Sequence, residues 1–246
     1  MQQKAVGEKV VRLSEIFTSV EGEGLLFGTK TMFVRMAGCP LKCHWCDTPD
    51  SLPIDSGKEY SVQDAMSFMS ESLQPNTYKV NFTGGEPLAQ HEALIELARF
   101  VKEEKQLRTY LESACYDSSR FAKVLPFFDI CKIEFKLRDS KVVDEGNYDN
   151  LLNNELECLE LAVRSEKTTY IKVVVTNSSS IREFRDLVHR VFHITEPADI
   201  AGFIIQPSDK IDEPTLERLF EFYDAVYPFY EQVRIVPQMH KAIGAR

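Results

Sequence analysis

The sequence predicts an α/β protein built as one domain over residues 1–246, with a parallel sheet and crossover helices. Three observations predict it. Short β-branched or aromatic runs alternate with longer stretches of helical periodicity from Arg12 onward, the pattern of strand–helix–strand units. No internal repeat or low-complexity linker interrupts that alternation. Polar motifs stand just after several of the apolar runs, where parallel strands would present them at their C-terminal ends. The 246 residues suffice for one large hydrophobic core.

In chain order the expected strands are VVRLSEIF (10–17), TMFVRM (31–36), YKVNF (78–82), RTYLES (108–113), ICKIEF (130–135), YIKVVV (170–175), GFIIQ (202–206) and VRIVP (233–237). Helical periodicity falls near 61–73, 88–105, 117–124, 148–165, 180–192 and 214–226. Ser61, three residues before Asp64, and Asp212, with Pro214 just inside, are the expected N-terminal helix signals. TGGEP (83–87) follows one strand, ESAC and FKLRD close the next two, and QPSD (206–209) closes a later one. In a β/α barrel, open or closed, these ends share one face and the motifs converge. A doubly wound open sheet would gather them less completely, at a switch point.

Composition narrows the function. Hydrophobic residues at 43% and charged residues at 27% belong to a globular chain rather than a disordered one. A net charge of -9 disfavours a nucleic-acid partner, whose phosphates are bound by Lys and Arg. The N-terminal MQQKAVGEKVVRLSEIF lacks the apolar core of a signal peptide, and no segment has the apolar length of a membrane span. The expected location is cytoplasmic, where thiols stay reduced. Clustered cysteines then indicate metal binding or catalysis rather than disulfides.

Cys39, Cys43 and Cys46 form such a cluster, C-x3-C-x2-C. Three thiolates at this spacing can wrap one compact metal centre. Structural zinc takes four protein ligands and usually paired C-x2-C motifs; no second pair exists, and His44 is awkwardly placed between two of the cysteines. A [4Fe–4S] cluster held by three cysteines keeps one iron open to a cofactor or substrate. Cys115, Cys131 and Cys158 read as buried apolar residues. Glu155, Glu157 and Glu160 read as a solvated helix face.

Joined to the glycine-rich TGGEP after a later strand, the cysteine motif resembles the radical S-adenosylmethionine (SAM) superfamily. That resemblance implies a single-domain partial (β/α)6-type radical SAM barrel, with cofactors [4Fe–4S] and SAM. The open iron would be chelated by the amino and carboxylate groups of SAM. The cluster would pass an electron to the sulfonium, and the resulting 5′-deoxyadenosyl radical would abstract a hydrogen; the protein binds, orients and shields. Thr83, Gly84 and Gly85 would let backbone approach the methionine moiety, with Glu86 capping or orienting the loop. Trp45 would shield the cluster or the adenine.

EIFTSVEGEG (15–24), KTMFVRMAGC (30–39), CDT (46–48) and PQMHK (237–241) further resemble the 7-carboxy-7-deazaguanine synthases of queuosine and archaeosine biosynthesis, over nearly the whole chain. By that resemblance Val20, Glu21, Gly22, Arg35, Thr83 and His240 would line a pocket for 6-carboxy-tetrahydropterin, a pterin-like small-molecule substrate. Arg35 would take its carboxylate through two parallel hydrogen bonds. Thr48 would offer its hydroxyl to Mg2+, a hard ion suited to oxygen ligands. Trp45, Cys46, Asp47, Gly84, Gly85, Glu86, Glu112, Glu134, Phe135, Lys136, Gln206, Pro207, Ser208 and Asp209 lie where the family meets SAM. The implied reaction is hydrogen abstraction at pterin C6, ring contraction and loss of ammonia, with SAM regenerated. The partners it implies are a second copy in a homodimer and a reducing protein of flavodoxin or ferredoxin type.

Each residue also has a plainer reading. Arg35 can pair with a surface carboxylate, EGEG can be an acidic turn, Thr48 can cap the turn at Asp47, and His240 matters only if the terminus docks over the pocket. Two positions depart from the family pattern. Glu21 stands where glutamine is usual, and a carboxylate only accepts hydrogen bonds. Around Lys136 the segment EFKLRD replaces Ser-Pro-Lys, and FKLRD is reminiscent of glycyl-radical activases, which act on a protein. A relative acting on another small ring, an activase, and a non-catalytic zinc or iron–sulfur module are the alternatives.

Overall fold

The computed structural model describes residues 9–209 and 211–245; the first eight residues of the N-terminal reading lie outside them. Strand β1 (Val10–Val20) turns through residues 21–29 into β2 (Lys30–Met36) as an antiparallel pair, and β3 (Lys58–Ser61) lies antiparallel along the outer side of β1. From β2 onward every strand is parallel to the one before: β4 (Lys79–Gly84), β5 (Arg108–Ser113), β6 (Ile130–Phe135), β7 (Thr168–Val175), β8 (Gly202–Pro207) and β9 (Val233–Ile235). The crossovers carry α1 (Val62–Ser72), α2 (His91–Glu103), α3 (Ser118–Val124), α4 (Tyr148–Arg164), α5 (Ile181–Ile194) and α6 (Leu216–Val226). The sheet order is β3-β1-β2-β4-β5-β6-β7-β8-β9. Because each new strand joins the same advancing edge, right-handed crossovers keep all six helices on one face. The result is the expected β/α succession in an open sheet with β3 and β9 at its edges.

The first strand corrects the parallel reading. Nine residues, 21–29, are too few for a parallel crossover but ample for an antiparallel return. β3, in the sequence KEYS, was invisible to periodicity because Tyr60 is its one aromatic residue and its face is half exposed. Ser61 caps α1 as predicted, its hydroxyl accepting from Asp64 N at 3.0 Å. Asp212 does not start α6: it sits at φ 47° and its carboxylate accepts from Ser178 N at 2.8 Å, while Thr215 caps the helix.

Strand alternation divides the residues of the sheet into two environments. On the helix side Val80, Phe82, Leu111, Cys131, Ile133, Phe135, Ile171, Val173, Phe203 and Ile205 join the helices in one apolar core. Each large side chain buried there contributes roughly 1.5–3 kcal/mol. Cys115, Cys131 and Cys158 are fully buried, as expected. On the other, concave face Tyr110, Ile130, Tyr170 and Ile204 form a small apolar plug with Leu25 and Leu26. Above that plug the inward positions become polar: Asn81, Thr83, Glu112, Lys132, Glu134, Lys172 and Gln206. No helix among the described residues is long and apolar enough to cross a membrane.

Candidate active site

The cysteine loop is fastened at several points before any ligand is considered. Gly38 N donates to Ser51 O (2.9 Å), Cys39 N to Leu52 O (2.9 Å) and His44 N to Ser140 O (2.8 Å), and Leu41 is buried against Val142 and Leu151. Cys39, Cys43 and Cys46 are partly exposed and line one cleft of about 670 Å³ at the C-terminal ends of the strands. His44 is exposed and does not line it, which removes the one candidate the sequence offered as a fourth ligand of a zinc site. Burial pushes the Cys39 thiol up to about 12 and raises Cys46 as well, opposed by the backbone N–H groups of Leu41 and Thr48 beside the respective sulfurs. These thiols stay protonated until a metal displaces the protons, and the two N–H groups then face bound thiolates.

The glycine motif is bolted to this loop. Gly84 lies at φ +130°, and a Cβ there would come within 2.1 Å of Met36 O; at Gly85 it would lie 2.4 Å from Gly38 O. The reason for both glycines in the fold is therefore the approach of β4 to the cysteine loop, sealed by Gly85 N to Met36 O and Glu86 N to Gly38 O, each 2.9 Å. Glu86, 1% exposed, accepts from Leu88 N (3.0 Å), Ser113 Oγ (2.8 Å) and Ala114 N (2.7 Å), so it orients the loop as expected and ties it to the end of β5. Burial raises its pKa despite those donors.

Below the cysteines lies a lattice of paired charges that the sequence reading largely missed. Glu134 receives Lys132 Nζ at 2.6 Å, Lys136 Nζ in a short bond and Lys172 Nζ at 3.3 Å. Burial alone would raise Glu134, yet the three ammonium groups hold it well below the usual carboxylate range. Lys172 also reaches Glu23 at 3.0 Å, and Glu112 accepts from Thr83 Oγ1 (3.0 Å) and Tyr110 Oη (2.7 Å). Lys132, Lys172 and Glu23 were not among the predicted residues. The available signal was the spacing of Lys132, Glu134 and Lys136 at alternate positions of an otherwise apolar strand, since lysine is seldom buried without a partner. Glu155 corrects the solvated-face reading: it is fully buried, takes Lys136 N at 3.2 Å, and burial raises its carboxyl well above the ordinary range.

Glu21 sits on the cleft floor, 3% exposed, with Lys79 Nζ at 2.7 Å and Asn81 Nδ2 at 3.2 Å on Oε2. Burial pushes its carboxyl up to about 7, against the pull of Lys79. Arg35 Nε donates to Glu15 Oε1 at 2.7 Å, so the plainer reading of a carboxylate partner holds for one edge of the guanidinium. Register sets Arg35 beside Thr83. Phe17 stacks on Phe33 at 5.0 Å as an apolar wall. The C-terminal segment docks over this pocket: Met239 N donates to Gly22 O (2.9 Å), and Gln238 Nε2 reaches both Glu23 and Asp47 at 2.7 Å. A Cβ on Gly22 would fall 2.4 Å from His240 Cβ, so glycine there is what lets the histidine pack.

The structure thus brings together every predicted site residue except Phe135. Strand alternation turns its side chain away, into the helix-side core. The donor set suits the implied cofactors: three thiols on one loop, Lys136 beside Cys43, and two buried polar atoms without a partner among the described residues, Trp45 Nε1 and Gln206 Oε1, on residues that line the cleft.

A family model described as a 4Fe-4S single cluster domain matches residues 20–158, the span holding the thiols, the glycine motif and Glu134. The chain belongs to this family. It is a radical SAM enzyme, with an iron–sulfur cluster and SAM as cofactors. It is 29% identical over 248 aligned positions to the 7-carboxy-7-deazaguanine synthase of Methanocaldococcus jannaschii, covering 94% of this chain and 99% of that one. The crystal structure of QueE from Escherichia coli shares the fold with a TM-score of 0.68 at 20% identity, covering 94% and 95% of the two chains. A domain of pyruvate-formate lyase-activating enzyme from Bacteroides vulgatus is similar over 64% of this chain and 98% of its own, with a TM-score of 0.50 at 17% identity.

Proposed function

We propose that this enzyme converts 6-carboxy-5,6,7,8-tetrahydropterin to 7-carboxy-7-deazaguanine, in 7-deazapurine biosynthesis. The observation that carries the reading is the closure of EGEG and PQMHK on each other: Met239 on Gly22, His240 packed on Gly22, Gln238 on Glu23. A glycyl-radical activase must admit a segment of another protein, whereas this chain roofs its cleft with its own C-terminal segment. A compact ring with a carboxylate fits such a space better. The similarity to 7-carboxy-7-deazaguanine synthases over 94% of the chain supports the same reading.

Cys39, Cys43 and Cys46 would hold the cluster, and Trp45, Gly85, Gln206, Ser208 and Asp209 would border SAM beside it; together these cofactors supply one-electron cleavage and hydrogen abstraction. The chain's own residues do the rest. With Nε committed to Glu15, Arg35 keeps its two terminal nitrogens for the substrate carboxylate. Thr48, on the cleft wall, would give its hydroxyl to Mg2+. Apart from the three cysteines, no group of three His, Cys, Asp or Glu side chains among the described residues is placed to hold a metal ion, so Mg2+ would take most of its ligands from substrate and water. Phe17 and Phe33 would exclude water from one side of the ring. A reducing protein of flavodoxin or ferredoxin type would supply the electron.

The test is anaerobic reconstitution with iron and sulfide, then incubation with SAM, reductant, Mg2+ and 6-carboxy-tetrahydropterin. The expected result is the mass of 7-carboxy-7-deazaguanine with SAM not consumed in proportion. Pterin returned unchanged by cluster-loaded enzyme overturns the proposal. Arg35→Ala should raise KM roughly 10- to 100-fold, the worth of a charged hydrogen-bonded contact, with the cluster spectrum intact. Loss of the cluster in that variant would make Arg35 structural instead.

A further inference from the structure

Five glutamates line the cleft: Glu21, Glu23, Glu86, Glu112 and Glu134. Glu23 takes Gln238 on Oε1 and Lys172 on Oε2. Glu86, Glu112 and Glu134 likewise have a protein donor on each oxygen. Glu21 differs. Its Oε2 carries both Lys79 and Asn81, and its Oε1 has no donor among the described residues. Lys79 cannot turn to a ligand instead: it is fully buried, also donates to Thr31 Oγ1 at 2.7 Å, and lies over the Tyr110 ring at 4.8 Å.

We propose that Glu21 Oε1 is the specificity-determining acceptor for the amino-bearing edge of the substrate ring, held in that role by the buried Lys79. This rests on the pterin reading given above. Position supports it as well as chemistry. Arg35 and Thr83 are paired near the tops of β2 and β4, while Asn81, which shares Glu21, lies two residues lower, about 7 Å along the strand. A bicyclic ring with its carboxylate on Arg35 would therefore extend its opposite end down to Glu21. That end of a pterin carries the exocyclic amino group, a donor. A carboxylate whose other oxygen is saturated can answer only a donor.

The same geometry dictates what a glutamine would do here. Lys79 and Asn81 both donate, so the amide oxygen of Glu21→Gln must face them, leaving its NH2 group toward the cleft. The preference should invert in favour of a carbonyl at that position of the ring. When Lys79→Met is added, the amide is freer to rotate and the preference should collapse.

The experiment compares 6-carboxy-tetrahydropterin with its 2-oxo analogue, 6-carboxy-tetrahydrolumazine, on cluster-loaded enzyme with SAM. It is run at pH 8, above the value of about 7 to which burial raises Glu21. Wild-type enzyme should favour the amino ring in kcat/KM by about a hundredfold or more, as expected where a site hydrogen-bonds the group in question. Glu21→Gln should favour the oxo ring, and Glu21→Gln with Lys79→Met should treat the two within a few-fold. Cluster absorbance and circular dichroism report whether each variant has folded; the double variant leaves no buried lysine without its counter-ion. Equal use of both rings by wild type, with the pterin still converted, overturns the role of Glu21 and leaves the reaction standing. Failure to convert the pterin at all overturns the reading of the reaction, and with it the ring edge assigned here.

Discussion

Gly84 shows how much one residue can carry. Its φ of +130° is open to glycine and strained for any side chain, and a Cβ there would meet three backbone atoms of Met36. Backbone cannot step aside as a long side chain can. Gly84→Ala should therefore cost about 2–4 kcal/mol in thermal or denaturant unfolding, and the cysteine loop, which hangs from Met36 and Gly38, should take up less iron on reconstitution. A variant of wild-type stability with a full cluster would show that the motif serves the ligand alone. The sequence pointed to this glycine but assigned it to the approach of a cofactor, because the neighbour it accommodates lies 48 residues earlier in the chain and nothing local announces it. Glu21 was legible as a departure from a pattern. Its compensation by Lys79 was not, since the two lie 58 residues apart.

At the scale of elements, what could be read was what has a period. All six helices and eight of nine strands announce themselves by alternation or by a 3.6-residue rhythm, and Ser61 does so by its capping position. β3 was missed because four half-exposed residues carry no period. The direction of β1 was missed because antiparallel pairing depends on the short return through residues 21–29, not on composition. The C-terminal segment from Gln238 onward is the element whose role most needed coordinates. It reaches the pocket through Met239 N, Gln238 and His240. Removing residues 238–246 should leave cluster absorbance unchanged and raise the KM for the ring substrate at least about tenfold, the worth of one or two hydrogen-bonded contacts. Loss of the cluster on truncation would make the segment a structural strap rather than a pocket roof.

Over the whole molecule, the sheet has an apolar face that makes the fold and a polar face that makes the site. β6 carries both, with Cys131, Ile133 and Phe135 facing the helices and Lys132 and Glu134 facing the cleft, yet the family resemblance placed Phe135 at the cofactor and left Lys132 unnamed. The lattice that results is costly to disturb. Replacing Glu134 with Gln leaves three ammonium groups close together without their shared counter-ion, an effect of about 3–5 kcal/mol for a buried pair broken on one side. Because the folded state holds Glu134 well below its ordinary range, the stability it confers is fully present above the unfolded value and is lost as pH falls toward the folded one. The gap in melting temperature between wild type and Glu134→Gln should thus be wide at pH 7 and narrow only below about pH 4. A gap that does not vary with pH would show that Glu134 acts by shape rather than charge.

The cysteines were legible because their spacing is local and their chemistry excludes most alternatives. Lys132 and Lys172 behind them were not, because only the sheet register brings them, with Lys136, to one carboxylate. The proposed exchange would carry a hydrogen from the ring carbon bearing the substrate carboxylate to the 5′ carbon of the adenosyl group and return one of the three hydrogens there to the ring, which regenerates SAM. It is tested most directly by supplying 6-carboxy-tetrahydropterin deuterated at C6 to the reconstituted enzyme and examining recovered SAM by mass spectrometry. Deuterium should appear in the recovered SAM and accumulate as 7-carboxy-7-deazaguanine forms. Product formed while SAM stays unlabelled, or label entering SAM from no substrate of this kind, would contradict it.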